Sequence, residues 1–300
     1  MKKKITLVEV GLRDGLQNES KILTVEQKVE LGKRLLGSGI RRMETGAFVR
    51  ADRIPQMQGS DDVFRKLYNP KQKSLLSVLV PNEVGMIKAI EAGVKEVAVF
   101  AGCSESFSQK NINCSIEESF LRFEKVFVLA KKNKIKVRGY LSVCFGCPFE
   151  GAVSEARVVK LASKLYEMGA YEISIGDTIG VAHAGQVNSL MTKLKKVIPV
   201  EKLAGHFHDT RGQALANILE AYNLGITVFD SSIGGLGGCP YAPAATGNVA
   251  TEDVLYMFQN KGVSVGVDLN KILSIHSWLS EQMQKQLPSK LGQVGLLKLK

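Results

Sequence analysis

The stretch Leu203-Ala-Gly-His206-Phe-His208-Asp-Thr-Arg-Gly-Gln213-Ala-Leu-Ala-Asn-Ile-Leu-Glu-Ala-Tyr-Asn-Leu224-Gly225-Ile226-Thr-Val-Phe-Asp230 holds one strand–helix–strand unit. Leu203–Phe207 is a short apolar run that reads as a strand. From Gln213 to Leu224 the apolar residues recur at i, i+3 and i+4, the period of an amphipathic helix. Gly225 stands where a helix C-cap would, and the β-branched run Ile226–Asp230 follows as the next strand. Outward from this unit the same alternation recurs. Further strands are predicted at Ile5–Val10, Ile40–Glu44, Leu75–Val80, Glu96–Phe100, Lys136–Val143 and Glu172–Ile175. Helices are predicted at Ile116–Lys132 and Glu155–Met168, and glycines close helices at Gly39, Gly93 and Gly169. Eight strands alternating with helices, with no long linker or low-complexity segment, predict an α/β chain folded as a (β/α)8 TIM barrel. A doubly wound open sheet is the competitor, but it would carry a glycine-rich dinucleotide turn after its first strand, and Gly11-Leu-Arg-Asp-Gly15 is not one. The expectation is a single catalytic domain over 1–300, with the barrel at about 5–265 and a C-terminal helical extension at about 267–300 packed over or beside it.

A chain of 300 residues with 45% hydrophobic content can bury a substantial core. No stretch has the apolar length of a membrane span. Met1-Lys-Lys-Lys4 is basic, but the apolar run behind it is short and broken by Glu9 and Arg13, unlike a signal peptide; Leu297-Lys-Leu-Lys300 matches no targeting tripeptide or lipidation motif. Five cysteines are an odd number and argue for a reducing compartment, so a cytoplasmic location is expected. Cys144-Phe-Gly-Cys147 has no second pair to complete a zinc site and reads as structural. The net charge of +11 invites a nucleic-acid reading, but the lysines alternate with glutamates, as in Val25-Glu-Gln-Lys-Val-Glu-Leu-Gly-Lys-Arg34, and no basic stripe carries stacking aromatics. Attraction of an anionic small molecule is the milder implication.

A strand turns residues i and i+2 to one face, so His206 and His208 aim the same way, an arrangement that suits a metal pair. The chain has only four histidines. A helix-capping histidine beside a core histidine is the alternative. Asp14, just beyond the first strand, can add a hard carboxylate ligand, and Arg13 can hold an oxyanion or carboxylate bidentately. In a barrel the active site lies at the carboxyl ends of the strands. Arg13 and Asp14 follow strand one, Glu44 ends strand two, Asp177 and Thr178 follow strand six, and His206 and His208 end strand seven, so all reach one mouth. After strand eight, Gly234-Gly-Leu-Gly-Gly-Cys239-Pro240 reads as a mobile lid carrying a thiol, or as a loop around a buried structural cysteine. It lacks the lysine and Ser/Thr of a phosphate-cradling loop.

Val10-Gly-Leu-Arg-Asp-Gly-Leu-Gln-Asn-Glu19, Gly139-Tyr, Ile175-Gly-Asp-Thr-Ile-Gly180, His206-Phe-His-Asp-Thr210, Gly235-Leu-Gly-Gly-Cys-Pro-Tyr-Ala242 and Ala245-Thr-Gly-Asn-Val-Ala-Thr-Glu-Asp253 resemble the 3-hydroxy-3-methylglutaryl-CoA lyase family from about residue 5 to 290. The resemblance implies a divalent cation, Mg2+ or Mn2+, held by Asp14, His206, His208 and Asn248, with no organic cofactor beyond the CoA of the substrate. On its residues alone, Asn248 in Thr246-Gly-Asn-Val would be a helix N-cap. The implied reaction is retro-Claisen cleavage of 3-hydroxy-3-methylglutaryl-CoA to acetyl-CoA and acetoacetate, a step of leucine catabolism and ketone-body formation. Arg13 and Cys239 are the implied catalytic residues, and Arg13 and Gln17 the substrate contacts. Glu44, Asp177 and Glu252 look like carboxylates that orient the ligands. An acyl-CoA is the expected partner, with no nucleic acid or membrane; a homodimer is left open. Three departures from the family stand out: Ser20 beside Lys21 where a lysine is usual, Arg50-Ala-Asp-Arg53 before Ile54-Pro55-Gln56, and Arg211 in place of a tyrosine. They bear on CoA grip and acyl preference. Two further activities compete. One is a lyase acting on a longer C3 substituent; the other is an acetyl-CoA-dependent condensing enzyme, whose group carries Gly-Glu-Arg where this chain has Gly238-Cys239-Pro240.

Overall fold

A computed structural model describes residues 4–50, 52–238 and 247–296. Eight parallel strands close into a barrel in chain order: β1 Thr6–Glu9, β2 Arg42–Ala47, β3 Leu75–Leu79, β4 Glu96–Gly102, β5 Lys136–Ser142, β6 Glu172–Asp177, β7 Leu203–Phe207 and β8 Val228–Ser231. β8 pairs back onto β1, with Thr6 opposite Val228 and Glu9 opposite Ser231, which closes the sheet and leaves no edge. The helices between strands are α1 Val25–Gly37, α2 Ser60–Leu67, α3 Glu83–Glu91, α4 Glu105–Ile112, α5 Ile116–Asn133, α6 Glu155–Glu167, α7 Ala184–Leu194 and α8 Ala214–Asn223. α9 Thr251–Asn260 returns the chain after β8, and α10 Leu269–Met283 and α11 Lys290–Val294 form the extension. α10 lies beside the barrel, with Gln282 accepting from Gln27 of α1 at 2.8 Å and Trp278 carrying the Arg34 guanidinium on its ring at 4.7 Å.

Local chemistry sets these boundaries. Thr24 and Ser115 open α1 and α5 with reciprocal capping boxes to Gln27 and Glu118. Gly39, Gly93, Gly169 and Gly225, the four closing glycines, all take positive φ. Outward-facing strand residues such as Val137, Ile173, Ile175 and Phe229 pack under the helices in one continuous apolar core. Cys144 and Cys147 belong to that core, with Cys144 Sγ 3.8 Å from Cys103 Sγ.

Inside the barrel, several strand positions are charged rather than aliphatic. Arg138 of β5, 1% exposed, pairs with Glu172 of β6 at 2.7 Å and with Asp230 of β8 at 2.9 Å. Arg42 of β2 adds a two-point contact to Glu172, both at 2.9 Å. Buried charges of this kind persist only when paired. β2 runs on to Ala47, past the expected end at Glu44, with a register irregularity between Glu44 and Ala47. Glu44 is therefore an interior residue within the strand rather than at its tip.

A second buried cluster ties strand ends together. Glu9 accepts from the backbone N–H groups of Gly11 and Ile233 at 2.8 and 2.9 Å and from Thr251 Oγ1 at 2.6 Å. Burial pushes the Glu9 carboxyl up to about 7; those three hydrogen bonds oppose the shift and nearby Glu252 adds to it. A carboxyl whose folded value exceeds its unfolded value near 4.5 contributes stability that is complete below the unfolded value and lost as pH rises through about 7. The contribution is about 3 kcal/mol. Glu9→Gln, which can keep the acceptor for Gly11 and Ile233, is expected to lose less stability than the parent between pH 5 and pH 8. Urea unfolding midpoints at the two pH values check this, and parallel profiles would remove Glu9 as the source.

Candidate active site

Beyond β1 the chain enters a wide helical turn, Gly11–Gly15, in which the Gly15 N–H reaches back five residues to the Val10 carbonyl at 3.0 Å. A Cβ on Gly15 would lie 2.5 Å from Ser232 Oγ and 3.2 Å from Leu236 Cβ, so only glycine allows the segment after β8 to pass this close. The turn presents Arg13 and Asp14 to the barrel mouth. Arg13 Nε donates to Glu44 Oε2 at 2.5 Å and its Nη1 to Asp14 Oδ1 at 2.6 Å. Burial would raise the Asp14 carboxyl, but Arg13, His208 and His206 outweigh it and hold Asp14 well below the usual carboxylate range.

β7 brings in the histidines. His206 Nδ1 sits 3.2 Å from Asp230 Oδ2, an oxygen that also accepts from Ser174 Oγ at 2.7 Å, while Oδ1 faces Arg138. Burial works against ionisation of Asp230, yet Arg138 and His206 bring it down to about 2. With Nδ1 tied to a carboxylate, His206 directs Nε2 outward. Asp14 Oδ2 stands 3.9 Å from His206 Nε2 and 3.6 Å from His208 Nε2, and the two rings are 5.2 Å apart. His208 is held by its backbone N–H on the Asp177 carbonyl at 3.2 Å and by bridging to Asn248. Asn248 Nδ2 donates to Asp14 Oδ2 at 2.8 Å, so a half-turn of the amide would present its oxygen instead.

The ligand atoms of Asp14, His206 and His208 lie within 4.8 Å of one another, close enough to share one cation. Three features fit a divalent metal: an ionised oxygen donor, imidazole nitrogens converging on it, and a carboxylate behind one imidazole that fixes its tautomer. The donor set does not by itself choose among Mg2+, Mn2+, Zn2+ or Fe2+.

The other sequence-derived residues divide. Glu44 orients Arg13, and Gln17 lines the cavity at the mouth. Both oxygens of Asp177 cap the following loop through the Val181 and Ala182 N–H groups, so its link to the histidines runs through its own carbonyl to His208. Glu252 accepts from the Gly234 N–H and from His276 Nδ1 at 2.7 Å, and thus secures the start of the glycine-rich segment. Cys239 lies outside the described residues. The residues flanking that stretch are close: a Cβ on Gly247 would come within 2.5 Å of the Gly237 backbone, and Gly238 lines the cavity. Arg211 donates to the Ile179 and Gly180 carbonyls and braces the loop after β6. Asp230 and Arg138 were not read from the sequence as site residues, because their pairing across the barrel interior leaves no mark on either strand alone.

The cavity at this mouth has a volume of about 480 Å3. Its floor over β1, β6 and β7 is polar, with Arg13, Asp14, Thr178, His206 and His208; the part over β2 to β5 carries Phe48, Leu79, Phe100, Phe107 and Phe123 together with the basic side chains Arg50, Arg53, Lys88 and Arg122. Tyr140 stands between the halves, its ring 5.6 Å from the Arg13 guanidinium carbon and 6.1 Å from the His206 ring.

Comparison with known proteins places this geometry in a family. The chain is 49% identical over 288 residues to a hydroxymethylglutaryl-CoA lyase of Pseudomonas mevalonii, covering 96% of this chain and 95% of that protein. It is 47% identical to a 3-hydroxy-3-isohexenylglutaryl-CoA/hydroxymethylglutaryl-CoA lyase of Pseudomonas aeruginosa, over 99% of this chain and 98% of the relative. The crystal structure of a hydroxymethylglutaryl-CoA lyase from Pseudomonas aeruginosa superposes with a TM-score of 0.94 at 46% identity, covering 97% of each chain. With these likenesses along its whole length and a match to the HMGL-like family over residues 4–279, the chain belongs to the HMGL-like family.

Proposed function

We propose that this protein is a carbon–carbon lyase that cleaves 3-hydroxy-3-methylglutaryl-CoA into acetyl-CoA and acetoacetate, using Asp14, His206, His208 and Asn248 to hold a divalent cation, Mg2+ or Mn2+. The observation that carries the reading is the convergence of Arg13, Asp14, His206 and His208 on one cavity in a chain nearly half identical to such lyases. A cation held there would serve as a Lewis acid toward the tertiary 3-hydroxyl and lower its pKa. As that hydroxyl passes its proton to a basic group at the mouth or to water, the electron pair of the C2–C3 bond passes to C2 and the thioester oxygen, leaving acetoacetate and the acetyl-CoA enolate. Among the described residues Arg13 commits only Nε and Nη1, so further N–H donors remain for that oxygen. Gln17 is the neighbouring polar contact for the substrate. Cys239 is assigned the proton that the enolate carbon must receive, and the reaction is placed in the cytoplasm, where a free thiol persists.

The test is incubation of the Mn2+-loaded protein with 3-hydroxy-3-methylglutaryl-CoA and mass detection of both products. Acetyl-CoA and acetoacetate in equal amounts support the reading, and unchanged substrate under Mg2+ and Mn2+ refutes it. Cys239→Ser is expected to retain metal affinity and folded stability while losing most of kcat, because serine keeps the shape but is a far weaker acid. Wild-type turnover in that variant would transfer the proton to another group.

Asp230 acts behind His206 as a positioning residue. In Asp230→Asn the Arg138 donors claim the amide oxygen, so the NH2 faces His206 Nδ1 and favours the tautomer protonated on Nε2, the atom needed for the metal. Metal affinity is expected to fall about 10- to 100-fold. Calorimetric Mn2+ titration reads this directly, and unchanged affinity would count against the role.

A further inference from the structure

The contact between Asp14 and Asn248 is tethered on both sides to one carboxylate. Glu9 ends β1 at the seam where β8 closes on β1, and it is fully buried, as is Thr251 at the start of α9. Its Oε1 accepts from the Gly11 N–H at 2.8 Å, three residues before Asp14, and from the Ile233 N–H at 2.9 Å. Its Oε2 accepts from the Thr251 hydroxyl at 2.6 Å, three residues after Asn248. Where the two segments meet, Asn248 Nδ2 donates to Asp14 Oδ2 at 2.8 Å.

A Cβ on Gly11 would lie 2.6 Å from Glu9 Oε1 and 2.9 Å from Ile233 Cγ2, so only glycine lets this N–H come so close. Glu9 forms no ion pair among the described residues, and its charged neighbour Glu252 is of like sign. Burying such a carboxyl is costly, and an aliphatic side chain would fill the space without that cost. What the carboxylate adds is a fork. One prong holds the turn that carries Arg13 and Asp14, which moves as a unit because the Arg13 and Gly15 N–H groups both reach the Val10 carbonyl, at 3.1 and 3.0 Å. The other prong holds the segment that carries Asn248. Resting on the cation site proposed above, we propose that Glu9 is a positioning residue for that site, and that its two oxygens set the spacing of Asp14 and Asn248 as a pair of metal ligands.

Calorimetric Mn2+ titration of paired variants tests this. Glu9→Gln keeps an acceptor for the Gly11 and Ile233 N–H groups and turns a donor to Thr251 Oγ1, whose own proton then serves Ser231 Oγ at 2.8 Å. Glu9→Asp keeps the charge but is one methylene too short to span both sides. The aspartate variant should bind Mn2+ about 10- to 100-fold more weakly than the glutamine variant, with one ion per chain in both. The electron paramagnetic resonance spectrum of its bound Mn2+ should differ from that of the parent. A purely structural role would instead lower the number of ions bound per chain and leave Kd unchanged. Thr251→Val and Thr251→Ser make the same comparison from the other prong and serve where Glu9→Asp fails to fold. Valine keeps the shape without the hydroxyl and should weaken binding about fivefold relative to serine, the worth of one net hydrogen bond. Equal affinity in Glu9→Asp and Glu9→Gln overturns the inference, as does equal affinity in the two Thr251 variants or a loss confined to stoichiometry. A parent chain that binds no Mn2+ refutes the cation site itself.

Discussion

Replacing Asp14 by alanine is expected to abolish stoichiometric Mn2+ binding and to lower kcat by about three orders of magnitude or more. Asp14 supplies the only carboxylate in the Asp14–His206–His208 cluster, and Oδ2 is the atom both imidazoles face. Loss of metal assistance of several kcal/mol corresponds to such a rate change, at 1.36 kcal/mol for each factor of ten. The fold should survive. Asp14 is at the barrel mouth rather than in the core, and Arg13 retains its bond to Glu44. Electron paramagnetic resonance of added Mn2+ gives the binding, product formation gives kcat, and circular dichroism verifies folding. A variant that binds one Mn2+ per chain with wild-type affinity would remove Asp14 from the ligand set.

The second large effect is expected for Arg13→Lys, a change that conserves charge. The guanidinium spans two carboxylates, Glu44 through Nε and Asp14 through Nη1, and still has donors left for the substrate. An ammonium on a flexible stem cannot serve Glu44, Asp14 and a developing enolate oxygen in fixed geometry. Removal of one such oxyanion donor typically costs about 10²- to 10³-fold in kcat. Metal affinity should fall far less than in Asp14→Ala, because the donor atoms themselves remain. Wild-type kcat in the lysine variant would show that the guanidinium does not meet the enolate.

The barrel was legible because each strand is a short apolar, β-branched run and most are followed by a helix with its own period. All eight strands and the three predicted helices at 116–132, 155–168 and 213–224 are present, with ends moved by a few residues. The end of β2 was not legible, since Thr45-Gly46 carries no apolar signal and the strand is carried past Glu44 by pairing with β3. The wide turn at Gly11–Gly15 leaves no periodic mark in five residues; only its approach to Ser232 requires it.

For the site, Asp14, His206 and His208 could be brought together from sequence because the barrel sends strand ends to one mouth. Asp230 and Arg138 could not, because a charge within a strand resembles a strand end when the partner is 92 residues away in sequence and visible only across the barrel interior. Glu252 was expected near the ligands. Its bonds to Gly234 and His276 direct any influence through the segment after β8 instead.

Metal occupancy and turnover measured together on one preparation test the central claim most directly. Protein stripped with chelator and titrated with Mn2+ should show no cleavage of 3-hydroxy-3-methylglutaryl-CoA at zero metal, rise in proportion to bound Mn2+, and reach a plateau at one ion per chain. Full cleavage by the stripped protein, or a plateau reached with the Asp14→Ala chain at the same occupancy, would contradict it.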